Sequence, residues 1–117
     1  MLQLPATIQV YLATGVTDMR KSINGLSMLV ADQFEFDPFS GQLFCFCNRR
    51  RDIVKLLYWD RNGFCLWHKR LERDRFRWPD NEKEVVALCG RKLAWLLDGL
   101  SIEQAGAHAR IHYDSLT

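Results

Sequence analysis

The chain has 117 residues, of which 48% are hydrophobic and 26% charged, and its formal net charge is +2. This length fits one domain, since domains hold about 100–200 residues, and the composition is globular rather than disordered. The N-terminal 17 residues lack a basic leader and a long apolar run, so we expect neither a signal peptide nor a membrane span. Four cysteines without an export signal favour reduced thiols in a cytoplasmic protein.

The first part of the chain predicts a strand and then a helix. Residues 7–13 alternate apolar and polar side chains, which is typical of a strand with one buried face. Thr17 is a predicted helix cap, and apolar residues recur after it at helical spacing from Met19 to Val30. The sequence DPFSG at 37–41 predicts a turn.

Three runs after this turn predict neighbouring strands. Gln42–Asn48 is apolar on both faces, which favours a central strand. Ile53–Asp60 and Phe64–Glu72 flank an Asn-Gly pair, the strongest hairpin signal in the chain. We therefore expect a hairpin whose two loop residues are Asn62 and Gly63.

This hairpin predicts which side chains share a face of the sheet. With the loop at the Asn-Gly pair, Tyr58 lies opposite Trp67, and their face is the predicted core face. The other face carries Lys55, His68 and Arg70 and is predicted to be wet and basic.

The remaining elements are a short strand and a second helix. RFRW at 75–78 predicts an edge strand that Pro79 ends. Asn81 is a predicted cap for a helix over Glu82–Asp98, and Gly99 ends that helix.

The predicted fold class is α+β. A small antiparallel meander sheet of about four to five strands and two main helices form a single domain over residues 1–100. Residues 101–117 form a predicted C-terminal tail, which could hold a short helix.

The charge distribution is uneven along the chain. The segment Arg49–Arg77 holds ten basic and four acidic residues, so it carries +6, whereas the rest of the chain carries −4. Aromatic residues are interleaved with these cations, and nucleic-acid surfaces combine cations for phosphates with rings for exposed bases. Two other interpretations stay open, namely a well-solvated surface and aromatic side chains that only fill the core of the sheet. Among these aromatic residues, we expect Trp59 and Trp78 to be partly exposed.

The sequence gives little support for metal binding or catalysis. Cys45 and Cys47 are two residues apart rather than three, and Cys65 and His68 would point to opposite faces of a strand, so we expect no zinc site. The carboxylates are not paired as two-metal catalysis requires, and the chain is short for a polynucleotidyl transferase with its own DNA-binding modules. We therefore predict no catalytic residue, no metal and no cofactor.

Several motifs, taken in chain order, resemble the motifs of one known family. These are TDMRKS at 17–22, NRRRD at 48–52, KLLYWD at 55–60, KRLE at 69–72 and WP at 78–79. They are similar to the second-frame accessory protein, called TnpB, of the IS-sixty-six family of bacterial insertion sequences. This protein is distinct from the RNA-guided nuclease of the same name.

The chain departs from the family pattern at three positions. Cys45 and Cys47 lie in the predicted central strand, and Asp74 stands where a glycine is common. None of the three lies in the basic motif.

The resemblance implies a non-catalytic accessory protein required for transposition, which assists a separate transposase that supplies the catalytic carboxylates. The predicted partners are DNA at the element ends, the transposase and another accessory protein, with no membrane and no prediction for the oligomeric state. The alternative is a protein-interaction module that docks on the transposase without contacting DNA.

The residues predicted to bind nucleic acid combine the basic segment with two basic residues of the first motif and two tryptophans. They are Arg20, Lys21, Arg49, Arg50, Arg51, Lys55, Lys69, Arg70, Arg73, Arg75, Arg77, Trp59 and Trp78.

Overall fold

The structure is a computed structural model, and it describes residues 5–99. It contains five strands, two α-helices and one π-helical segment that continues the first helix. In chain order these are β1 Gln9–Ala13, α1 Ile23–Met28, the π-helical segment Leu29–Gln33, β2 Leu43–Cys47, β3 Ile53–Asp60, β4 Gly63–Arg70, β5 Val85–Cys89 and α2 Gly90–Leu97. The predicted tail at 101–117 lies outside the described residues.

The strands form one sheet in the order β4-β3-β2-β1-β5. β1 and β2 pair in parallel, and the other three pairings are antiparallel. The α+β class and the strand number are therefore as predicted, and β2 is the central strand. The parallel pair was not predicted, because the predicted meander joins only β2, β3 and β4 and does not say how β1 pairs with them.

A hydrophobic core covers each face of the sheet. On one face, Val10 and Leu56 are fully buried together with Leu93 of α2. On the other face, Leu57 is fully buried beneath Leu26 of α1. Both α-helices therefore pack against the sheet, one on each side of it. No helix within residues 5–99 is long and apolar enough to cross a membrane.

The β3-β4 hairpin forms with a different register from the one predicted. Asp60 pairs with Gly63, so the two loop residues are Arg61 and Asn62, and Leu56 lies opposite Trp67. The predicted register was wrong by two residues. A shift of two leaves every side chain on its predicted face, because side chains alternate along a strand with a period of two.

The face predicted to be wet is in fact buried over much of its area. Leu57 is fully buried, and Lys55 is only 9% exposed. The prediction failed because α1 and the π-helical segment cover this face. The alternation of residues in a hairpin does not show which other elements pack on it. His68 and Arg70, near the end of β4, remain exposed as predicted.

The predicted helix over Glu82–Asp98 is wrong in its first half, which is β5. A short apolar run fits a strand as well as a helix, and its pairing with β1 decides the outcome here. Asn81 does not cap a helix, because β5 follows it and α2 begins only at Gly90. Its Oδ1 accepts a hydrogen bond from the amide of Lys83 (2.9 Å) within the loop. The predicted end is confirmed, because α2 stops before Gly99, whose φ is +94°.

The first helix begins later than predicted. Thr17 is not its cap: Thr17 is buried, and its amide donates to the carbonyl of Cys47 (2.9 Å). Ser22 stands at the cap position of α1, and the chain changes to a π-helix at Leu29. The apolar spacing still identified the buried stripe, since Leu26 and Val30 are fully buried.

Candidate nucleic-acid interface

Three loops of the chain lie at the same end of the sheet. Here and below, this edge means the side of the sheet where strands begin and end, and not an outermost strand. β1, β2 and β4 end at this edge, and β3 and β5 begin there, because β1 is parallel to β2 and the other pairings are antiparallel. The connections 14–22, 48–52 and 71–84 therefore meet at it. We call these three loops together the basic edge.

Backbone hydrogen bonds join the loops of the basic edge to one another. The amide of Phe76 donates to the carbonyl of Arg51 (2.7 Å), and that of Leu71 donates to the carbonyl of Asp52 (2.8 Å). The amide of Thr14 donates to Glu84 (3.0 Å) in the same way. The three loops thus form one connected unit rather than separate flexible segments.

Asn48 organises the loop that carries the arginine run. Its Oδ1 accepts hydrogen bonds from the amides of Asp52 and Ile53 (3.0 Å each), and its Nδ2 donates to an Asp52 carboxylate oxygen (2.7 Å). This last bond is the main cause that lowers the pKa of Asp52. The Asp52 carboxylate is therefore engaged within the loop, while Arg49 and Arg50 at its tip are exposed.

Arg51 differs from its two neighbours because it points inward. Its backbone has a φ of +61°, and its Nη2 donates to the carbonyl of Thr14 (3.1 Å). Nη1 is buried without a hydrogen-bond partner among the described residues. The guanidinium also lies near Cys47, where burial raises the pKa of the thiol to about 11 against the opposing effect of Arg51. Arg51 was predicted as a phosphate contact, but it connects two loops in this structure.

Lys55, another predicted contact, is buried. Its Nζ donates to the carbonyls of Met19 (2.8 Å) and Lys21 (2.9 Å), and the side chain is 9% exposed. The ammonium thereby fixes the backbone of the TDMRKS motif at 17–22 over β3. This position is inconsistent with a direct contact to a phosphate.

The segment 75–78 is not a strand of the sheet, contrary to prediction. Its side chains nevertheless alternate: Phe76 and Trp78 are buried in the core, and Arg75 and Arg77 are exposed. Trp78 was expected to be partly exposed, but only 8% of it is, and its Nε1 donates to the carbonyl of Ala13 (2.8 Å). The two buried rings fix the backbone from which the two arginines project.

Two predicted cations are paired with neighbouring carboxylates. Arg20 forms a two-pronged contact with Asp18 (shortest distance 2.7 Å), and this contact lowers the pKa of Asp18 to about 2. Arg70 pairs with Glu72 (3.1 Å). Both pairs are solvent-exposed, so each is weak, and either arginine can exchange its partner for a phosphate at small cost.

Trp59 lies away from the other predicted contacts, at the opposite edge of the sheet. It is partly exposed, as expected, but it packs edge-on against Phe39 and Phe64 with ring centroids 5.0 Å apart in each pair. Phe39 is 57% exposed and was not singled out from the sequence. We call Phe39, Trp59 and Phe64 the aromatic cluster.

Within the part of the chain that the structure describes, the cysteines do not cluster with other metal-ligating side chains. Cys45 and Cys47 are fully buried in the core, and burial raises the pKa of Cys45 well above its usual value. Cys65 and His68 lie on opposite faces of β4, as their spacing predicted. Among residues 5–99 there is no cluster of three or more ligating side chains.

The predicted nucleic-acid contacts that remain available at the basic edge share two properties: they are exposed, and within residues 5–99 none forms an ion pair. They are Lys21, Arg49, Arg50, Arg73, Arg75 and Arg77. The meander β2-β3-β4 brings the loops 48–52 and 71–84 together. Only the position of Lys21 depends on the parallel pairing of β1 and β2, which was not predicted.

Comparison with known proteins identifies the family of the chain. The family described as IS66 Orf2 like protein matches residues 8–107. Two relatives come from Sinorhizobium fredii (strain NBRC 101917 / NGR234), and both are described as uncharacterized. Protein y4hO is 37% identical over 100 residues, which cover 86% of this chain and 87% of y4hO. Protein y4jC is 31% identical over 93 residues, which cover 80% of each chain.

No solved structure matches the chain. The family match covers most of the sequence, including all three loops of the basic edge. The chain therefore belongs to the IS66 Orf2-like family, whose members are accessory proteins associated with the transposition of insertion sequences.

Proposed function

We propose that this protein binds DNA at the ends of its insertion sequence through the basic edge and assists a separate transposase without catalysing a reaction itself. The observation that supports this proposal is the set of exposed arginines that three mutually bonded loops hold at one edge of the sheet. Arginine suits this role because its planar guanidinium can donate two hydrogen bonds to one phosphate. We place this action in the cytoplasm.

Salt dependence is the sharpest test of such binding. If the six available cations each neutralise one phosphate, the logarithm of affinity should fall against the logarithm of salt concentration with a slope of about −5. Fluorescence anisotropy with an element-end duplex and a scrambled duplex, across a range of salt, measures this slope. The scrambled duplex separates sequence recognition from backbone binding, since phosphate contacts alone do not discriminate sequence.

Matched variants assign the binding to the basic edge. Arg49→Gln with Arg50→Gln should reduce the slope by about two and leave folding unchanged, because both side chains are exposed. Arg61→Gln, in the β3-β4 loop at the opposite edge, is the control and should leave the slope unchanged. Failure of the wild-type protein to bind either duplex at low salt would refute the proposal, as would an unchanged slope in the double variant.

A second candidate function is docking on the transposase without any DNA contact. The aromatic cluster favours it, because Phe39 is an exposed aromatic residue that packs edge-on against Trp59 and at a tilt against Phe64. Interfaces are enriched in such anchors. Co-purification with the transposase in nuclease-treated, high-salt buffer tests this function. Phe39→Ser should abolish co-purification if docking uses the cluster, whereas Arg49→Gln with Arg50→Gln should not affect it.

A further inference from the structure

A large cavity opens beside the basic edge. It lies between the end of β4, the segment 73–77 and the C-terminal end of α2, and its volume is about 870 Å³. This volume falls within the range of small-ligand pockets, about 300–1,000 Å³.

The walls of the cavity are held by the core rather than by loose loops. Phe76 lines the cavity and is 2% exposed, since it belongs to the hydrophobic core. The amide of Leu71 donates to the carbonyl of Asp52 (2.8 Å), and Nζ of Lys69 donates to the carbonyl of Leu97 (3.1 Å). One of these bonds joins a wall to the β2-β3 loop, and the other joins the end of β4 to α2. The cavity is therefore present before any ligand arrives.

The charge of the cavity is unbalanced. Four cations line it (Lys69, Arg73, Arg75 and Arg77), against the two acids Asp74 and Asp98. In the part of the chain from 5 to 99, neither acid forms an ion pair with any of the four cations. Four close cations repel one another, and this repulsion favours a bound anion with about two negative charges.

We propose that this cavity binds a phosphate monoester, and specifically the phosphorylated end of a nucleic-acid strand; this inference rests on the proposed function. A monoester carries about −1.5 to −2 charges at pH 7, whereas each phosphate within a strand carries one. Two unpaired acidic charges against four basic ones leave an excess that matches the monoester and not the diester. The cavity is also larger than a bare phosphate ion needs, which leaves room for the terminal sugar.

The test compares duplexes that differ only at their ends. Duplexes with 5′-phosphate, 3′-phosphate or hydroxyl ends are titrated by anisotropy at constant salt, and inorganic phosphate is added as a competitor. One phosphorylated end should bind at least about tenfold more tightly than the hydroxyl end at pH 8. The preference should shrink as the pH falls below about 6, where the monoester gains a proton.

Variants separate this site from general DNA binding. Arg75→Gln with Arg77→Gln should remove the end preference, whereas Arg49→Gln with Arg50→Gln should weaken all duplexes and retain the preference. All four side chains are exposed, so both double variants should fold. Arg73→Gln removes one of the four lining cations, so it should reduce the end preference without abolishing it.

The outcomes distinguish the two proposals. Equal binding of all duplexes with a normal salt slope would overturn the cavity inference and leave the proposed function standing. Absence of binding to any duplex would refute the proposed function instead. Protection by inorganic phosphate in a thermal unfolding assay, without any end preference, would assign the cavity to free phosphate and overturn the strand-end proposal.

Discussion

The backbone amide of Phe76 donates a hydrogen bond of 2.7 Å to the carbonyl oxygen of Arg51. Phe76 belongs to the hydrophobic core, and Arg51 belongs to the loop that carries the arginine run. This bond links the β4-β5 connection, which contains Phe76, to the β2-β3 loop, which contains Arg51. The positions of the exposed arginines therefore depend on the packing of the core beneath them.

Lys55→Met should destabilise the protein without a direct effect on a DNA contact. The variant retains the apolar stem but leaves the carbonyls of Met19 and Lys21 without their donor. A hydrogen bond from a charged donor contributes about 1.5–3 kcal/mol, and removal of the ammonium also relieves its desolvation, so we expect the free energy of unfolding to fall by about 2–4 kcal/mol. Urea denaturation measures this change.

The control for this prediction is Arg49→Met, which removes an exposed cation from the same edge. We expect its free energy of unfolding to change by less than about 0.5 kcal/mol. Equal stability of Lys55→Met and the wild-type protein would show that the buried ammonium is dispensable.

Trp78→Phe should also destabilise the protein, because it removes the indole donor to the carbonyl of Ala13 and leaves a void in the core. The expected cost is about 2–4 kcal/mol. The matched control is Trp59→Phe, at the partly exposed aromatic cluster, where the cost should be clearly smaller. Thermal unfolding of both variants decides the comparison, and a similar loss in each would contradict the assignment of Trp78 to the core.

The sequence predicted the sheet better than the position of its cations. Alternation identified the buried residues of β1 and the central strand β2, because burial of one or both faces is a local pattern. The boundary between β5 and α2 was missed, because Val85, Leu88 and Cys89 fit a helical spacing while strand pairing with β1 fixes their conformation.

Charge pattern alone could not separate binding residues from structural ones. Arg49, Arg50 and Arg51 are consecutive, yet only the third turns inward, because its positive φ directs the side chain towards Thr14. Lys55 belongs to the basic segment of the sequence and was predicted to be exposed. In the structure α1 covers its face of the sheet, so its side chain is buried. Both outcomes depend on contacts between residues that are more than 30 positions apart.

Asp74→Gly should raise DNA affinity while keeping the fold. Asp74 has a φ of +64°, a conformation that glycine adopts without strain. The relieved strain offsets the greater freedom of glycine in the unfolded chain, so we expect the free energy of unfolding to change by less than about 0.5 kcal/mol. Loss of an acid among the cavity cations should tighten binding about two- to fivefold at low salt.

Asp80→Gly is the control for this substitution. Its backbone does not have a positive φ, so glycine gains nothing in the folded state and should cost about 0.5–1 kcal/mol. Asp80 does not line the cavity. A similar gain of affinity in both variants would mean that net charge, and not the cavity, governs binding.

The Asp18 carboxylate should titrate at unusually low pH. Its hydrogen bonds with Arg20 lower its pKa from 3.8 to about 2. Since the folded pKa lies below the unfolded value, the stabilisation from this pair is fully present above about pH 4 and is lost as the pH falls through about 2. NMR titration of the Asp18 carboxyl carbon measures this pKa directly.

Arg20→Gln tests the cause of the shift. The substitution removes the guanidinium that holds the carboxylate, so the pKa of Asp18 should rise towards 3.8. Arg70→Gln, which removes the other exposed ion pair, should leave the pKa of Asp18 unchanged. A low Asp18 pKa that persists in Arg20→Gln would contradict the assigned cause.

The mutual bonding of the three loops has a thermodynamic consequence. Because the backbone of the basic edge is already ordered, association with a polyanion need not be coupled to folding. The heat-capacity change of binding should therefore be small, since little apolar surface is removed from water when exposed arginines meet phosphates. The driving force is then mainly the entropy of released counterions, reduced by the rotamer freedom that each arginine side chain loses on contact.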